Sequence, residues 1–182
     1  MIRLFIALEI PGEIRNLIVN ERKKIIESGM RWEPVEKLHL TLKFIGNFDE
    51  NLVEELAISL SFIENFHSFN VSLSGYGFFF VRKSPKILWL GLSTDDNLFK
   101  LVSDLNKHLV KFKIPVEEKM FKPHLTLLRV PRDGDSDLLN LFRGIKVPEK
   151  SFIADHVILY KSELSPKGSK YTPLKVYKLK AG

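Results

Sequence analysis

The tetrapeptide His-Leu-Thr-Leu occurs twice in this chain, at residues 39–42 and at residues 124–127, which are 85 positions apart. The apolar runs around Leu4 and Leu88, which each precede one copy, are separated by nearly the same distance. Like segments at a constant offset indicate an internal duplication. We therefore predict two similar lobes, related by a pseudo-twofold axis, each carrying one copy of the tetrapeptide.

Hydrophobic periodicity predicts the same order of elements in both halves: strand, helix, motif strand, helix and strand. The predicted strands lie within residues 3–8, 32–45, 69–81, 86–92, 119–130, 152–160 and 171–179. The predicted helices span residues 12–28, 49–66, 95–111 and 136–142, and Asp49 is placed as an N-cap. The fold class is then α+β, with largely antiparallel sheets. We expect a single domain of two intimate lobes, from halves of roughly residues 1–83 and 84–182, with the active-site cleft between them.

Composition excludes several classes of protein. The chain has no cysteine, which rules out disulfides, a thiolate nucleophile and cysteine-ligated metal sites. No apolar run approaches the roughly 18 residues of a membrane span, so we expect a cytoplasmic protein without a membrane partner.

The 28 Lys and Arg against 22 Asp and Glu give a net charge of +6. Such an excess favours an anionic partner such as nucleic acid, although a merely soluble basic protein can carry the same charge. We expect a monomer.

The two motifs place polar side chains on one face of each strand, because residues two apart in a strand point the same way. In the first motif that face carries His39, Thr41 and Lys43. The other face is apolar and consists of Leu38, Leu40, Leu42 and Phe44. In the second motif His124 and Thr126 share the polar face. A pseudo-twofold axis turns the two polar faces toward one cleft.

These groups suit in-line displacement at phosphorus. One neutral imidazole can take a proton from attacking water and one protonated imidazole can give a proton to the departing ribose oxygen, since the pKa of histidine lies near neutrality. The hydroxyls of Thr41 and Thr126 can donate to the non-bridging oxygens, and Lys43 can add positive charge. We expect no metal and no cofactor, because His39 and His124 cover both proton transfers. A zinc site is disfavoured, as two histidines without cysteine or clustered carboxylates leave the metal under-ligated.

Residues 5–8, 39–46, 88–91, 122–129 and 162–171 resemble the two-histidine (2H) phosphoesterase superfamily. Within it they are most similar to the prokaryotic RNA 2′,3′-cyclic phosphodiesterases, also described as 2′–5′ RNA ligases. The resemblance implies hydrolysis of a terminal 2′,3′-cyclic phosphate of RNA to a 2′-phosphate. It also implies that His39 is the proton donor, His124 the proton acceptor, and Thr41 and Thr126 the phosphate ligands. The residues themselves do not distinguish the acid from the base.

Other residues have two open interpretations each. Strict alternation points Arg129 away from the phosphate, whereas a bend at the end of the strand turns it toward the phosphate. The turn 165–170, with Lys167 and Lys170, is either a hairpin connection or a basic edge of an RNA cleft. Tyr171 and the run 78–80 can stack on bases, but we place at least two of these three phenylalanines in the core. Phe5 is also interpreted as packing.

Two alternative functions stay open at this point. The first is a non-enzymatic module that binds RNA ends and uses the histidines only to hold phosphate. The second is a phosphodiesterase for small cyclic nucleotides or ADP-ribose cyclic phosphate. Joining of RNA ends through a 2′–5′ bond is the reverse reaction and would use the same residues.

Overall fold

The computed structural model describes residues 1–25, 32–82, 84–130, 136–166 and 168–182. Its strands are β1 (Ile2–Glu9), β2 (His39–Phe48), β3 (Phe69–Val81), β4 (Ser84–Thr94), β5 (His124–Arg129), β6 (Ser151–Ala154), β7 (His156–Ser165) and β8 (Gly168–Lys178). Its helices are α1 (Gly12–Lys24), α2 (Val53–Ser59), α3 (Asp96–Leu109) and α4 (Ser136–Arg143). Short 3₁₀ helices span Val35–Lys37, Glu50–Leu52, Leu60–Asn65 and Val110–Phe112.

The strands form one antiparallel sheet of eight, in the order β6–β3–β4–β5–β2–β1–β7–β8. The two motif strands, β5 and β2, lie side by side at its centre. We call β2, β1, β7 and β8 the His39 lobe and β5, β4, β3 and β6 the His124 lobe. The predicted α+β class with antiparallel pairing is confirmed, and the order of strands is symmetric about the β5–β2 boundary.

The lobes exchange strands between the two halves of the chain. Strand β3 comes from the first half but pairs with β4 and β6 in the His124 lobe. Strands β7 and β8 come from the second half, and β7 pairs with β1 in the His39 lobe. The predicted strand 152–160 is therefore two strands, because the chain changes lobes at Asp155. The boundary of the halves, at Lys83, lies outside the described residues.

The apolar core lies between the sheet and its helices. From β1 and α3 it takes fully or nearly fully buried aliphatic side chains: Leu4, Ile6, Leu8, Leu98, Leu101 and Leu105. Burial of each such side chain contributes roughly 1.5–3 kcal/mol. Helix α3 starts at an N-cap, since Asp95 accepts a hydrogen bond of 3.0 Å from the backbone N–H of Asn97. This packing leaves the opposite face of the sheet for the cleft.

Several predicted boundaries shift. Asp49 is an N-cap, but the helix predicted over 49–66 is α-helical only in α2 and is flanked by 3₁₀ helices. The motif strands begin at His39 and His124, later than predicted, because Pro34 opens a 3₁₀ turn and Pro123 lacks the N–H that a sheet ladder needs. The last residues of the helix predicted over 12–28 lie outside the described residues. In the part of the chain that is described, no helix is both long enough and apolar enough to cross a membrane.

Each motif strand carries a β-bulge at the last residue of its tetrapeptide. Leu42 has no partner on β1, and Leu127 has none on β4, because the pairing register shifts at both places. A bulge inserts one residue and so inverts the alternation of faces beyond it. Lys43 consequently points into the molecule, whereas Phe44 and Arg129, each five residues after its histidine, point to the cleft face.

Candidate active site

A cleft of about 380 Å³ opens along the centre of the sheet and brings the two motifs together. His39, Thr41, His124 and Thr126 all line it. The alternation of residues therefore predicts the correct face for each side chain before the bulges at Leu42 and Leu127, but not for the side chains after them. The two imidazoles are close enough for a charge on His124 to lower the pKa of His39.

The strand register sets the pattern of these four side chains. Leu40 of β2 pairs with Leu125 of antiparallel β5. Continuing that register places His39 beside Thr126 and Thr41 beside His124. Each histidine thus stands next to the threonine of the other motif, and the two rings lie on a diagonal, about 7–8 Å long in a regular sheet. A phosphate group between them can contact all four side chains.

Backbone carbonyls orient both imidazoles. Nδ1 of His124 lies 2.7 Å from the carbonyl oxygen of Lys122. A carbonyl oxygen can only accept, so Nδ1 donates, and the lone pair of the neutral ring is on Nε2. His39 makes a hydrogen bond to the backbone of Lys37, likewise two residues before it. The duplicated sequence thus reproduces the supporting contact as well as the histidine.

Aromatic rings enclose His39. Its ring centroid lies 5.0 Å from that of Phe5, 5.4 Å from that of Tyr171 and 6.3 Å from that of Tyr160. Burial among these rings lowers the pKa of His39 to about 4, which the bond to the backbone of Lys37 partly opposes. Phe5 is buried, as expected of a packing residue, and also forms part of the cleft wall.

We expect this burial to make stability depend on pH through His39. The folded pKa lies below the 6.5 of an exposed histidine, so the unfolded chain binds the extra proton. Stability is then lost as the pH falls from about 6.5 through about 4, by roughly 3 kcal/mol in total. Urea unfolding of wild type and His39→Asn at pH 7.5 and pH 4.5 measures it. The free energy of unfolding should fall further in wild type, and equal falls would contradict the assignment.

His124 packs against a second aromatic group in its own lobe. Phe79 contacts its ring edge-on at 4.8 Å between centroids, and Trp89 lies 6.3 Å away. Nζ of Lys122 is 4.1 Å from the Trp89 ring centroid, a cation–π contact. The pKa of His124 is lowered, chiefly by burial and further by the charge of Lys122, while the bond to the Lys122 carbonyl raises it.

Gly77 of β3 provides the space in which Trp89 lies. A Cβ at Gly77 would overlap the six-membered ring of Trp89, whereas a Cβ at Gly75 in the same strand meets nothing within 4 Å. We expect Gly77→Ala to displace Trp89, lower the free energy of unfolding by about 1–3 kcal/mol and shift the tryptophan fluorescence. Gly75→Ala is the matched control and should change the fluorescence little. Identical spectra for the two variants would argue against this packing.

The prediction that Lys43 shares the cleft face of His39 is wrong. Its side chain is only 2% exposed, and it is not among the described residues that line the cleft. Nζ donates to Asn106 Oδ1 and to the carbonyl of Pro115, both at 2.8 Å, and lies 3.4 Å from Glu117 Oε1. The bulge at Leu42 causes this reversal, since it adds one residue between Thr41 and Lys43 in the pairing with β1.

Arg129 lines the cleft, although strict alternation of residues predicts that its side chain points away from the phosphate. The bulge in β5 supplies the bend that the second interpretation required. Its Nε donates to Glu33 Oε1 at 3.0 Å, and its side chain remains 68% exposed. The backbone N–H of Glu33 in turn donates to the carbonyl of Leu127 at 2.8 Å, which holds that carboxylate beside β5.

Other cleft residues were not identified from the sequence or were left open there. Glu33 and Lys37 belong to the irregular segment before β2, where no periodicity marks their orientation. Tyr171 lines the cleft, with Lys37 Nζ 5.9 Å from its ring centroid. Residues 165–170 connect β7 to β8 as a hairpin, and Ser169 of this hairpin lines the cleft, while Lys167 lies outside the described residues.

The run 78–80 divides between packing and exposure. Phe78 packs against the apolar core, and Phe79 contacts His124. Phe80 is 52% exposed and is not among the residues described around the cleft. Within the described ranges, no group of three His, Cys, Asp or Glu side chains comes together as a metal site would require.

Comparison with known proteins finds matches along the whole chain. The model of the family described as LigT like phosphoesterase matches residues 6–89 and again residues 90–171. The RNA 2′,3′-cyclic phosphodiesterase of Thermotoga maritima is 33% identical over 175 residues, which are 94% of this chain and 92% of that protein. The RNA 2′,3′-cyclic phosphodiesterase of Archaeoglobus fulgidus is 31% identical and covers 96% and 99% of the two chains. Escherichia coli LigT complexed with 3′-AMP aligns with a TM-score of 0.79 at 27% identity, over 98% of each chain.

Proposed function

Since the chain belongs to the LigT-like phosphoesterase family, we propose that it hydrolyses the terminal 2′,3′-cyclic phosphate of RNA to a 2′-phosphomonoester. The observation that carries this proposal is the single cleft in which two imidazoles alternate with two threonine hydroxyls. Relatives named RNA 2′,3′-cyclic phosphodiesterase, 33% and 31% identical over nearly the full chain, support the same activity.

The four side chains cover each requirement of the reaction. His124 takes a proton from water through Nε2 as the water oxygen attacks phosphorus. The bond from phosphorus to the ribose 3′-oxygen breaks, and His39 protonates that oxygen. Thr41 and Thr126 donate hydrogen bonds to the non-bridging oxygens, where negative charge accumulates. The fixed tautomer of His124 supports its role as acceptor, since a neutral ring with a free Nε2 is what a base requires.

The donor role of His39 depends on the substrate. Burial holds the pKa of His39 at about 4, so at pH 7 the ring is neutral before a substrate binds. A bound phosphodiester places a negative charge beside the ring and raises this pKa, because an opposite charge favours the protonated form. The proton that His39 delivers is therefore taken up together with the anionic substrate.

Arg129 is the cation that we propose for the substrate, in place of Lys43. Within the described residues its guanidinium keeps N–H donors beyond the one that Glu33 accepts, and its side chain reaches the cleft. Lys37 adds a second positive charge to the lining of the cleft. These charges and the net charge of +6 agree with an RNA end as substrate. A cytoplasmic location and a monomeric state remain predictions from the sequence.

Incubation of the protein with a 2′,3′-cyclic-ended oligonucleotide in the presence of EDTA tests the proposal. We expect full activity in EDTA, because imidazoles carry both proton transfers, and a product with its phosphate on the 2′-oxygen. A 3′-phosphate product would contradict the bond that we propose to break. Loss of turnover in EDTA that returns with a divalent cation would contradict the role of the two histidines.

Comparison of substrates separates the remaining alternatives. A cyclic-ended oligonucleotide should be hydrolysed with a higher kcat/KM than a cyclic mononucleotide, and its KM should rise with salt as phosphate contacts are screened. An enzyme for small cyclic phosphates would show the opposite preference and little dependence on salt. A binding module would retain the cyclic end without converting it.

A further inference from the structure

We propose that Glu33 is a positioning residue for the phosphate of the substrate. Its carboxylate holds the guanidinium of Arg129 through Nε, so that the two terminal nitrogens of that guanidinium bind the phosphate. The inference rests on the proposed function, in which Arg129 is the cation for the substrate. It adds the residue that makes Arg129 an oriented ligand.

The charge of Glu33 is unexpected at a site for an anion. Among the described residues that line the cleft, Arg3, Lys37 and Arg129 are basic, and Glu33 is the one acidic residue. A carboxylate beside a phosphate repels it, and this repulsion opposes binding of the substrate. The contact between Glu33 and Arg129 is a physical reason for a carboxylate at this place.

Arg129 is a long side chain that little else fixes. It is 68% exposed, whereas the side chain of Glu33 is only 19% exposed. Its Nε donates to Glu33 Oε1 at 3.0 Å, and within the described part of the chain no other side chain accepts from this guanidinium. An exposed side chain loses rotamer entropy when it binds a ligand, and a contact that already orders it reduces this loss.

Glu33 is itself fixed by hydrogen bonds at both ends of its backbone. Its N–H donates to the carbonyl of Leu127 at 2.8 Å, and its own carbonyl accepts from Nη1 of Arg22 at 2.6 Å. Leu127 is the bulged residue of β5, so the first of these bonds attaches Glu33 to the bend that turns Arg129 toward the cleft. The carboxylate therefore orients Arg129 from a position that is part of the fold.

The shape of a guanidinium permits both contacts at once. A carboxylate on Nε leaves the N–H donors of the two terminal nitrogens, and a phosphate can accept two parallel hydrogen bonds from such a group. A lysine ammonium is instead a point charge, for which Glu33 and the phosphate would compete. The effect of removing Glu33 should therefore depend on whether residue 129 is arginine or lysine.

Kinetics of Glu33→Ala in two backgrounds test the proposal, with a 2′,3′-cyclic-ended oligonucleotide as substrate. With Arg129 present, we expect KM to rise about 10-fold and kcat to stay nearly constant, because the contact serves binding of substrate and transition state alike. Glu33→Gln should keep KM within about 3-fold of wild type, since its amide oxygen still accepts from Nε. In Arg129→Lys, Glu33→Ala should not raise KM, because it releases the ammonium from a competing carboxylate.

Glu36→Ala is the matched control. Glu36 lies three residues further along the same segment, is exposed, and is not among the described residues that line the cleft. It removes an equal charge, so KM should stay at the wild-type value. Urea unfolding of each variant shows whether a change in KM reflects lost stability, which is not expected because Glu33→Ala retains both backbone hydrogen bonds.

The contrary outcomes are distinct. A KM at or below the wild-type value in Glu33→Ala would overturn the proposal, since the carboxylate would then act only by repulsion. An equal rise in the arginine and lysine backgrounds would also contradict it, because the effect would not pass through the guanidinium. A wild-type protein that does not hydrolyse the cyclic end would overturn the proposed function. The Kd for the intact oligonucleotide would then replace KM in the same comparison of variants.

Discussion

Replacement of His124 with alanine is expected to lower kcat for a 2′,3′-cyclic-ended oligonucleotide by roughly 10²–10⁴-fold, the usual contribution of one positioned general base. His39→Ala should cause a loss of similar size, as it removes the proton of the departing oxygen. The double variant should be little worse than either single variant, because both groups act in the same step. These losses are measured as steady-state rates, and the same assays determine which ribose oxygen carries the product phosphate.

Two further measurements accompany these variants: their affinity for the product, and the activity of a control variant at a histidine outside the described cleft residues. Affinity for the 2′-phosphate product should change only several-fold in His124→Ala, since the phosphate ligands that we propose, the two threonines and Arg129, are retained. His156→Ala is the control: this ring lies at the start of β7, 2.6 Å from Asp155 Oδ1, and is not among the described cleft residues. Turnover that persists in both single variants would exclude catalysis by the pair.

Replacement of Lys43 with methionine is expected to lower the free energy of unfolding by about 3 kcal/mol. Methionine fills a similar volume but leaves the carbonyl of Pro115 and part of the Asn106 amide without a donor. KM for the cyclic phosphate should stay nearly constant at a temperature where the variant is folded, because the ammonium lies outside the cleft. Urea unfolding and steady-state kinetics on the same preparation separate these two effects.

Lys150→Met is the control for this substitution. Lys150 Nζ lies 3.9 Å from Glu13 Oε1, and both side chains are well exposed, so the loss should stay within about 0.5 kcal/mol. If Lys43→Met instead raised KM strongly and left the stability unchanged, Lys43 would contact the substrate, as the alternation of residues predicts. That result would also place the bulge in β2 in doubt.

Local sequence patterns predict the orientation of the side chains in the motif strands only for the residues that precede the bulges. His39 and Thr41 are on one face because they are two positions apart in a strand, and His124 and Thr126 repeat the arrangement. A bulge depends on how the neighbouring strand pairs, and that pairing is not encoded in the alternation of one strand. The orientations of Lys43, Phe44 and Arg129 therefore follow from contacts with β1 and β4.

Long-range pairing also decides which strands form each lobe. Residues 69–81 are a strand by composition, as predicted, but nothing local to them indicates pairing with β4 and β6 instead of β1. Glu33 reaches the cleft through a backbone hydrogen bond to Leu127, which is distant in sequence. Such contacts arise only when both segments are already folded against each other.

The sequence by itself determined the duplication, the class of fold, and the four side chains at the centre of the cleft. These follow from periodicities of two and of three to four residues and from a repeated tetrapeptide, which are properties of short segments. Only the tertiary structure decided which cation lines the cleft, which lysine is buried, and that the ring of Phe44 faces the cleft. The reason is physical: register and bulges are set by hydrogen bonds between strands, so that one unpaired leucine turns the side chains that directly follow it to the opposite face.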